Sequence, residues 1–185
     1  MMLVKTIIHV SKTISLKEIQ LNDAEFLLEL MHQIYPPVYK HLWEDAGNWY
    51  VETVFGSENL AKELLEENAK YYFVQHENEV VGILRIVYDA PLEGFEAVKA
   101  TKLHRIYLSS KVQGKGVGKI LMDWTIQQAV EKNTKLVWLE SMDTQVQALE
   151  FYKKMGFESI GAFRLNFDLM HQHLRGMYTL RKVLD

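Results

Sequence analysis

The chain has 185 residues, of which 48% are hydrophobic and 24% charged, the composition of a globular domain large enough to bury a core. Its net charge of -3 at pH 7 gives no sign of the basic face that nucleic-acid binding requires. Because the chain contains no cysteine, the composition excludes disulfides, thiolate metal sites and a cysteine nucleophile.

The sequence indicates neither membrane insertion nor secretion. No apolar run reaches the roughly 18 residues that a transmembrane helix needs. The N-terminal stretch MMLVKTIIHVSKTISLK interleaves lysine and histidine with short apolar patches, whereas a signal peptide has an uninterrupted apolar core. We therefore expect one domain over residues 1–185, in the cytoplasm, with neither nucleic acid nor membrane as a partner.

The first half of the chain predicts a strand, then helices, then a hairpin. TISLKEI alternates polar and apolar residues and is predicted as the first strand. Asn22 or Asp23 caps a helix that ends before Pro36, and residues 43–55 form a short helical or irregular piece. Ser57 caps a further helix to about Asn68, and YYFVQ and VVGILRIVY pair as a hairpin. The apolar face of the first helix comprises Phe26, Leu27, Leu30, Met31 and Ile34.

The second half alternates strands with helices. TKLHRIYLS is a strand, residues 118–132 a helix, KLVWLES a buried strand, and residues 145–155 a helix that Gly156 ends. FESIGAFRLNF and HLRGMYTLRKVL supply the last two strands, and the final one is a candidate for pairing between the subunits of a homodimer. This order predicts an α/β fold in which helices cover a mixed sheet.

Three glycines, Gly114, Gly116 and Gly118, stand at alternate positions between a predicted strand and a predicted helix. Glycine lets backbone N–H groups approach an anion, and the helix dipole favours negative charge at the same place. The spacing does not fit a P-loop, and the third glycine of a dinucleotide-binding loop would fall at Lys119. A purely structural turn is the alternative from this segment alone.

Residues 113–118, QGKGVG, match the Q/R-x-x-G-x-G/A signature of the GNAT N-acetyltransferases. Downstream, QVQALEFYKKMGF resembles the N-x-x-A-x-x-F-Y-x-x-x-G-F helix of that family. The resemblance implies the GNAT acyl-CoA N-acyltransferase fold, with a mostly antiparallel sheet splayed between the two strands that flank the glycine-loop helix. It also implies an acetyl-CoA-binding core at about residues 100–157.

The resemblance implies which residues hold acetyl-CoA, with no metal. Main-chain groups of Ile106 and Leu108 would pair with the pantetheine arm, and Gln145, where the family has asparagine, would contact the same region. The residues that would wrap the pyrophosphate are Gln113, Gly114, Lys115, Gly116, Val117, Gly118 and Lys119.

Tyr152 matches the tyrosine that, in this family, donates a proton to the coenzyme A sulfur, although a tyrosine of the core is the alternative. Many relatives place a glutamate base on the strand before the glycines, but Lys102 occupies that place here. His104 is two residues further on the same face and is the candidate base, with Glu140 or water as alternatives. Amine attack is expected within a ternary complex, without an acyl-enzyme.

The acceptor amine is expected to meet Tyr35, Trp43, Glu44 and Glu140, because aromatic rings and carboxylates together bind cations. LHRIYL, VWLES and ALEFYKKMGF look most like bacterial spermidine/spermine N-acetyltransferases, which implies a polyamine acceptor. The alternatives are the amine of an amino acid, an antibiotic or a protein N-terminus. A non-catalytic module of the same fold that senses coenzyme A is the alternative outside enzymes.

Overall fold

The computed structural model describes residues 7–184, in which eight strands form one sheet. The strands are β1 (Ile7–His9), β2 (Ile14–Glu18), β3 (Ala69–His76), β4 (Glu79–Val87), β5 (Ala100–Leu108), β6 (Leu136–Met142), β7 (Glu158–Arg164) and β8 (Gly176–Val183). Their spatial order is β1-β2-β3-β4-β5-β6-β8-β7, and every neighbouring pair is antiparallel except β5 with β6. The mixed, mostly antiparallel sheet of the predicted fold is confirmed.

Helices lie on both faces of this sheet. They are α1 (Ala24–Ile34), α2 (Pro36–Tyr39), α3 (Asn48–Phe55), α4 (Ser57–Leu64), α5 (Val117–Glu131) and α6 (Val146–Lys154). The first helix ends before Pro36 as predicted, and Pro36 opens α2, where its missing N–H is not needed. The cap of α4 differs from the prediction, because Gly56 is the N-cap and Ser57 the first helical residue. That helix also ends at Leu64 instead of near Asn68.

The alternation of side chains along the strands builds two cores. On β3, Tyr72 and Val74 face the core beneath α5 and α6, whereas Tyr71 and Phe73 face the core beneath α1, α3 and α4. We call these the α5/α6 face and the α1–α4 face. Phe26 was predicted on the buried side of α1, but it is 46% exposed, and its ring meets that of Phe73 edge to face.

Two further features of the sheet differ from the sequence prediction. β1 precedes the predicted first strand and pairs with β2 from Ile7 to His9. The last strand, β8, has β6 on one side and β7 on the other, so the predicted pairing of this strand between subunits is wrong. β7 is the edge strand at that end of the sheet.

The parallel pair β5–β6 stays together over only three residue pairs. Ala100, Thr101 and Lys102 pair with Leu136, Val137 and Trp138, and the strands separate beyond them. This splay lies between the strands that flank α5, as the resemblance to the GNAT family implies, and it opens a gap in the middle of the sheet. Between residues 7 and 184, no helix is both long and apolar enough to cross a membrane.

Candidate active site

The gap between β5 and β6 holds a cavity of about 340 Å³ that reaches both faces of the sheet. Leu103 and Leu139, from the core of the α5/α6 face, line it on one side. Tyr35 and Trp43, from the core of the α1–α4 face, line it on the other. Two reactants that approach from opposite faces of the sheet could therefore meet in this cavity.

The glycine loop lies at the start of α5, after a short turn at Ser110–Val112. Gly114 and Gly116 both have φ of 76°, a conformation that side chains with a Cβ rarely adopt. No heavy atom of the described chain lies within 4 Å of where a Cβ would stand on either residue. Within residues 7–184, neither N–H group has a hydrogen-bond acceptor.

Gly118 differs from the other two glycines. Its φ is not positive, and an added Cβ would lie 3.9 Å from Leu108 Cδ1, an ordinary contact distance. Neither backbone strain nor crowding within the described chain therefore requires glycine here. Beside Gly118, the first N–H groups of α5 have no partner within the helix and point out of its N-terminus. The positive end of the helix dipole adds to the favourable field for an anion at this place. This loop is a cradle suited to a phosphate group.

Tyr152 lies on α6 and lines the cavity from the α5/α6 face. Its ring packs against Phe151 and Phe157, with centroids 5.4 and 6.0 Å away. Burial raises the pKa of the Tyr152 hydroxyl to about 12, so the phenol stays protonated at neutral pH. No group among the described residues is hydrogen bonded to this hydroxyl, which leaves its proton available to a ligand.

Aromatic rings form the wall of the cavity on the α1–α4 face. The Tyr35 ring stacks between those of Tyr39 and Tyr50, at 4.8 and 5.0 Å between centroids. Trp43 donates its Nε1–H to the Tyr35 hydroxyl at 2.9 Å, and the Tyr50 and Tyr107 hydroxyls lie 3.2 Å apart. The aromatic wall comprises Tyr35, Tyr39, Trp43, Tyr50, Tyr107 and Phe167.

The carboxylates near this wall are directed elsewhere or paired. Glu44 is exposed and does not line the cavity, and Asp45 accepts the N–H groups of Gly47 and Trp49. Glu140 lines the cavity, but its Oε2 lies 2.8 Å from Lys102 Nζ. Among the described residues that line the cavity, Glu140 is the one carboxylate.

A β-bulge brings His104 and Arg105 to the same face of β5. In the pairing with β4, Arg85 opposes Arg105 and Ile86 opposes Leu103, so His104 is the extra residue. Leu103, Ile106 and Leu108 pack towards the α5/α6 face, whereas Tyr107 packs into the core of the α1–α4 face. The bulge therefore changes which residues of β5 face the aromatic wall.

His104 is surrounded by cations. Arg85 Nη1 contacts its Nδ1, and burial lowers the pKa of the imidazole to about 2. The charges of Arg105, Arg85 and Lys102 act in the same direction. The ring is therefore neutral at physiological pH and is a weak base.

Two guanidinium groups close to His104 lie beside carboxylates of other elements. Arg105 Nη1 lies 2.8 Å from both oxygens of Glu63, which is 9% exposed. Arg85, 1% exposed, lies 3.7 Å from Glu63 and 2.8 Å from Glu66. The positive charges beside the cavity are thus compensated from α4 and from the residues that follow it.

Most of the residues predicted for catalysis and the acceptor meet in the cavity. Tyr35, Trp43, His104, Glu140 and Tyr152 line it, whereas Glu44 does not. Of the residues predicted for acetyl-CoA, Ile106 and Gln145 line the cavity, while Leu108 and residues 113–119 lie outside its lining. Within the described residues, no group of three His, Asp or Glu side chains could hold a metal ion.

Sequence reasoning missed Arg85, Arg105, Tyr107 and Phe167. The bulge at His104 shifts the alternation of side chains along β5, and no local residue pattern indicates it. Phe167 lies after β7 in a stretch without a recognisable motif, yet it packs 5.7 Å from Trp43. A charge inside the apolar run VVGILRIVY was the signal that could have identified Arg85, because a buried arginine requires partners.

Comparison with known proteins identifies the family. The model described as Acetyltransferase (GNAT) family matches residues 27–157, well over half of the chain. The uncharacterised N-acetyltransferase YjgM of Escherichia coli K12 is 36% identical over 90 residues, which are 49% of this chain and 52% of that protein. This chain spans between 52% and 62% of the length of four curated relatives that it matches.

Solved structures share the fold. The PaiA N-acetyltransferase of Thermoplasma acidophilum, in complex with coenzyme A, aligns with a TM-score of 0.71 at 16% identity, over 93% of this chain and 99% of that one. A mutant of the spermidine N-acetyltransferase SpeG from Vibrio cholerae aligns with a TM-score of 0.66 at 13% identity, over 94% and 95%. The family match and the shared fold confirm the resemblance read from QGKGVG and QVQALEFYKKMGF, and the chain belongs to the GNAT acetyltransferase family.

Proposed function

We propose that the chain is an acetyl-CoA-dependent N-acetyltransferase that acetylates a primary amine in a ternary complex. The observation that carries this proposal is the cavity through the splayed sheet, with the Tyr152 hydroxyl on one side and the aromatic wall on the other. The glycine loop lies at the start of α5, on the same α5/α6 face of the sheet as Tyr152. A donor and an acceptor can thus enter from opposite faces.

The residues of the glycine loop fit the pyrophosphate of acetyl-CoA. Gly114 and Gly116 have open space where a side chain would stand, and their N–H groups are free to donate among the described residues. Gln113, Lys115, Val117, Gly118 and Lys119 complete the proposed cradle, and the main chains of Ile106 and Leu108 would pair with pantetheine. Gln145 lines the cavity at the start of α6, where its amide can contact the same arm.

Acetyl-CoA supplies an acetyl thioester to this site. The cavity holds the amine close to it, and this positioning of two reactants accounts for most of the rate. As the new N–C bond forms and the C–S bond breaks, Tyr152 gives its phenolic proton to the leaving sulfur. The amine releases its own proton through water towards Glu140, the carboxylate of the cavity lining. Once the products leave, Glu140 returns this proton to solvent and the Tyr152 phenolate takes one up, which restores the starting state.

Charge favours an acceptor with an apolar or aromatic body. The aromatic wall can bind an ammonium group by cation–π contact. Glu140, the carboxylate of the cavity lining, is already paired with Lys102. A polyamine would bring further ammonium groups into a cavity without an unpaired carboxylate among its described lining, which costs desolvation energy. The polyamine implied by the sequence resemblance is therefore the second candidate, and the fold shared with a spermidine enzyme is what supports it.

The test is calorimetric titration with acetyl-CoA, followed by thiol-release assays on amines of matched size. The panel contains phenylethylamine, spermidine, an amino acid, an aminoglycoside and a short peptide with a free N-terminus. Turnover of phenylethylamine above spermidine supports the proposal, and the reverse order selects the polyamine. Binding without turnover of any amine favours a sensor of coenzyme A, and failure to bind acetyl-CoA overturns the whole assignment.

A further inference from the structure

The contact between Arg85 and His104 defines which ring nitrogen carries the proton. Arg85 Nη1 meets His104 Nδ1, and a guanidinium group has only N–H donors. Nδ1 must therefore present its lone pair, and in a neutral imidazole the proton then resides on Nε2. Protonation of both nitrogens would set two donors against each other and would break the contact.

The surroundings keep Arg85 in this position. Its side chain is 1% exposed, and carboxylate oxygens of Glu63 and Glu66 lie 3.7 and 2.8 Å from its Nε and Nη2. Neither of these two nitrogens makes a hydrogen bond within the described residues, so the hydrogen bond of the guanidinium is the one from Nη1 to His104. The β-bulge turns His104 towards Arg85, while the ring also lines the cavity. The ring nitrogen opposite Nδ1 is therefore the one left for a ligand.

The charged groups around the ring make a second proton on it unfavourable. Arg105 is paired with Glu63, and Lys102 is paired with Glu140, so neither carboxylate is free for an imidazolium. Tyr50, Tyr107 and Tyr152 also line the cavity, and burial raises the pKa of the Tyr107 and Tyr152 hydroxyls, which keeps those two neutral at physiological pH. The titratable and charged groups near the ring are Glu63, Glu66, Arg85, Lys102, Arg105, Glu140 and these tyrosines.

We propose that Arg85 is a positioning residue that holds His104 as a neutral Nε2–H donor facing the cavity. In this role His104 donates a hydrogen bond to the oxygen that gains negative charge during acetyl transfer, instead of removing a proton from the amine. A preorganised donor of this kind accelerates acyl transfer because its dipole is already oriented when the charge develops. The catalytic part of this inference rests on the proposed acetyltransferase activity, whereas the tautomer does not.

The first experiment therefore needs no turnover. Long-range proton–nitrogen NMR spectra of the ¹⁵N-histidine-labelled protein distinguish bare from protonated ring nitrogens, and loss of one signal set in His104→Gln assigns His104. We expect a bare Nδ1 and a protonated Nε2, unchanged between about pH 5 and 8, the range in which an ordinary histidine titrates. A protonated Nδ1, or titration in that range, overturns the proposal.

The second experiment compares two substitutions of His104. The amide nitrogen of glutamine can occupy the place of Nε2, so His104→Gln keeps a donor but not a base, whereas His104→Ala keeps neither. We expect kcat to fall by at most about tenfold in His104→Gln and by about 100- to 1,000-fold in His104→Ala. Equal losses in the two variants overturn the donor role.

Arg85→Gln tests the positioning itself. The glutamine amide can accept as well as donate, so Nδ1 no longer has to present its lone pair, and we expect the Nε2–H tautomer to give way to a mixture in the NMR spectra. An unchanged tautomer in a folded Arg85→Gln protein overturns the role of Arg85, and the wild-type spectra still test His104 if this variant does not fold. His173 is an exposed histidine outside the cavity lining, so His173→Gln is the matched control for His104→Gln. Inactivity of the wild-type protein on every amine would refute the proposed function and leave the tautomer result intact.

Discussion

Lys102 Nζ lies 2.8 Å from Glu140 Oε2, an ion pair that joins β5 to β6 where the two strands separate. Lys102 is the last residue of β5 in the parallel pairing, and its ammonium also lies 4.2 Å from the centre of the Trp138 ring. The pair neutralises the carboxylate of the cavity lining. We therefore expect this pair to limit the number of cationic groups that an acceptor can carry into the cavity.

Replacing Lys102 by glutamine is expected to shift the choice of acceptor. Without the ammonium group, Glu140 becomes available to a second amine of the substrate. We expect kcat/KM for a diamine, relative to a monoamine of the same length, to rise about two- to fivefold, the strength of a partly exposed ion pair. Parallel thiol-release assays on the two amines measure this ratio.

The double variant Lys102→Gln/Glu140→Gln is the control for this shift, because it removes the charge that Lys102→Gln exposes. Its diamine preference should return to that of the wild-type protein. Lys70→Gln breaks a pair with Glu18 at the other end of the sheet and should not alter the ratio. A rise in the double variant as large as in the single one would contradict the role of Glu140.

Tyr152→Phe removes one hydroxyl that has no hydrogen-bond partner within residues 7–184. The ring contacts with Phe151 and Phe157 remain, so stability at neutral pH and acetyl-CoA affinity should be unchanged. If Tyr152 supplies the proton to the leaving sulfur, kcat falls by about 100-fold or more. Steady-state kinetics and calorimetric titration separate the two effects.

Tyr72→Phe is the matched control for Tyr152→Phe. Tyr72 is buried in the same core but does not line the cavity, so its substitution should leave kcat near that of the wild-type protein. A full kcat in Tyr152→Phe would exclude this phenol as the acid and would leave protonation of the sulfur to water.

Alanine substitutions in the glycine loop are expected to change stability and acetyl-CoA binding independently of each other. Alanine at Gly114 or Gly116 must adopt a positive φ, which costs about 1–2 kcal/mol of unfolding free energy. Gly118→Ala meets only Leu108 at 3.9 Å and gains helix propensity, so stability should stay the same or rise by up to about 1 kcal/mol. The acetyl-CoA Kd of Gly118→Ala should nevertheless rise about tenfold, because the added Cβ keeps the backbone N–H groups away from the pyrophosphate. This is the effect expected when one hydrogen bond to a charged group is lost.

Denaturant titration and calorimetry on the same samples test whether stability and acetyl-CoA affinity change independently. Gly161→Ala, where an added Cβ meets nothing within 4 Å, reports the cost of the same substitution away from the loop. Unchanged acetyl-CoA affinity in Gly118→Ala would contradict the proposed place of the pyrophosphate beside this residue.

The parts of the site that follow from local patterns could be predicted. The alternate glycines before a helix and the aromatic pair Phe151–Tyr152 lie in continuous segments, and their positions required only the order of strands and helices. The splay between β5 and β6 was implied by the resemblance to the GNAT family. Tyr35 and Trp43 reach the cavity because they lie in one short segment between α1 and α3.

The remaining features depend on contacts between segments distant in sequence. A bulge is a property of how two strands pair, so the change of face at His104 could not be read from LHRIYL. The partners of Glu140, Arg85 and Arg105 come from other elements for the same reason. The carboxylate Glu44 was predicted in the site from proximity in sequence, but the backbone after Trp43 directs it outwards.

The tyrosines that line the cavity predict how stability depends on alkaline pH. Burial raises the pKa of Tyr35, Tyr39 and Tyr107 above the ordinary value, and that of Tyr152 to about 12. In the unfolded chain these phenols ionise near pH 10, so above it the native state binds more protons than the unfolded state. Their contribution is therefore complete below about pH 10 and is lost as the pH rises towards 12.

Denaturant titrations at several pH values between about 8 and 11.5 measure this loss. Each such tyrosine should steepen the fall in unfolding free energy by about 1.4 kcal/mol per pH unit above its unfolded pKa. Tyr152→Phe removes one of them, so its slope should be shallower than that of the wild-type protein by that amount, while Lys70→Gln should follow the wild-type slope. Equal slopes in Tyr152→Phe and wild type would mean that the Tyr152 hydroxyl ionises in the folded protein as readily as in the unfolded chain. Such a phenol would also lose its proton too early to serve as the acid on the alkaline side of the activity profile.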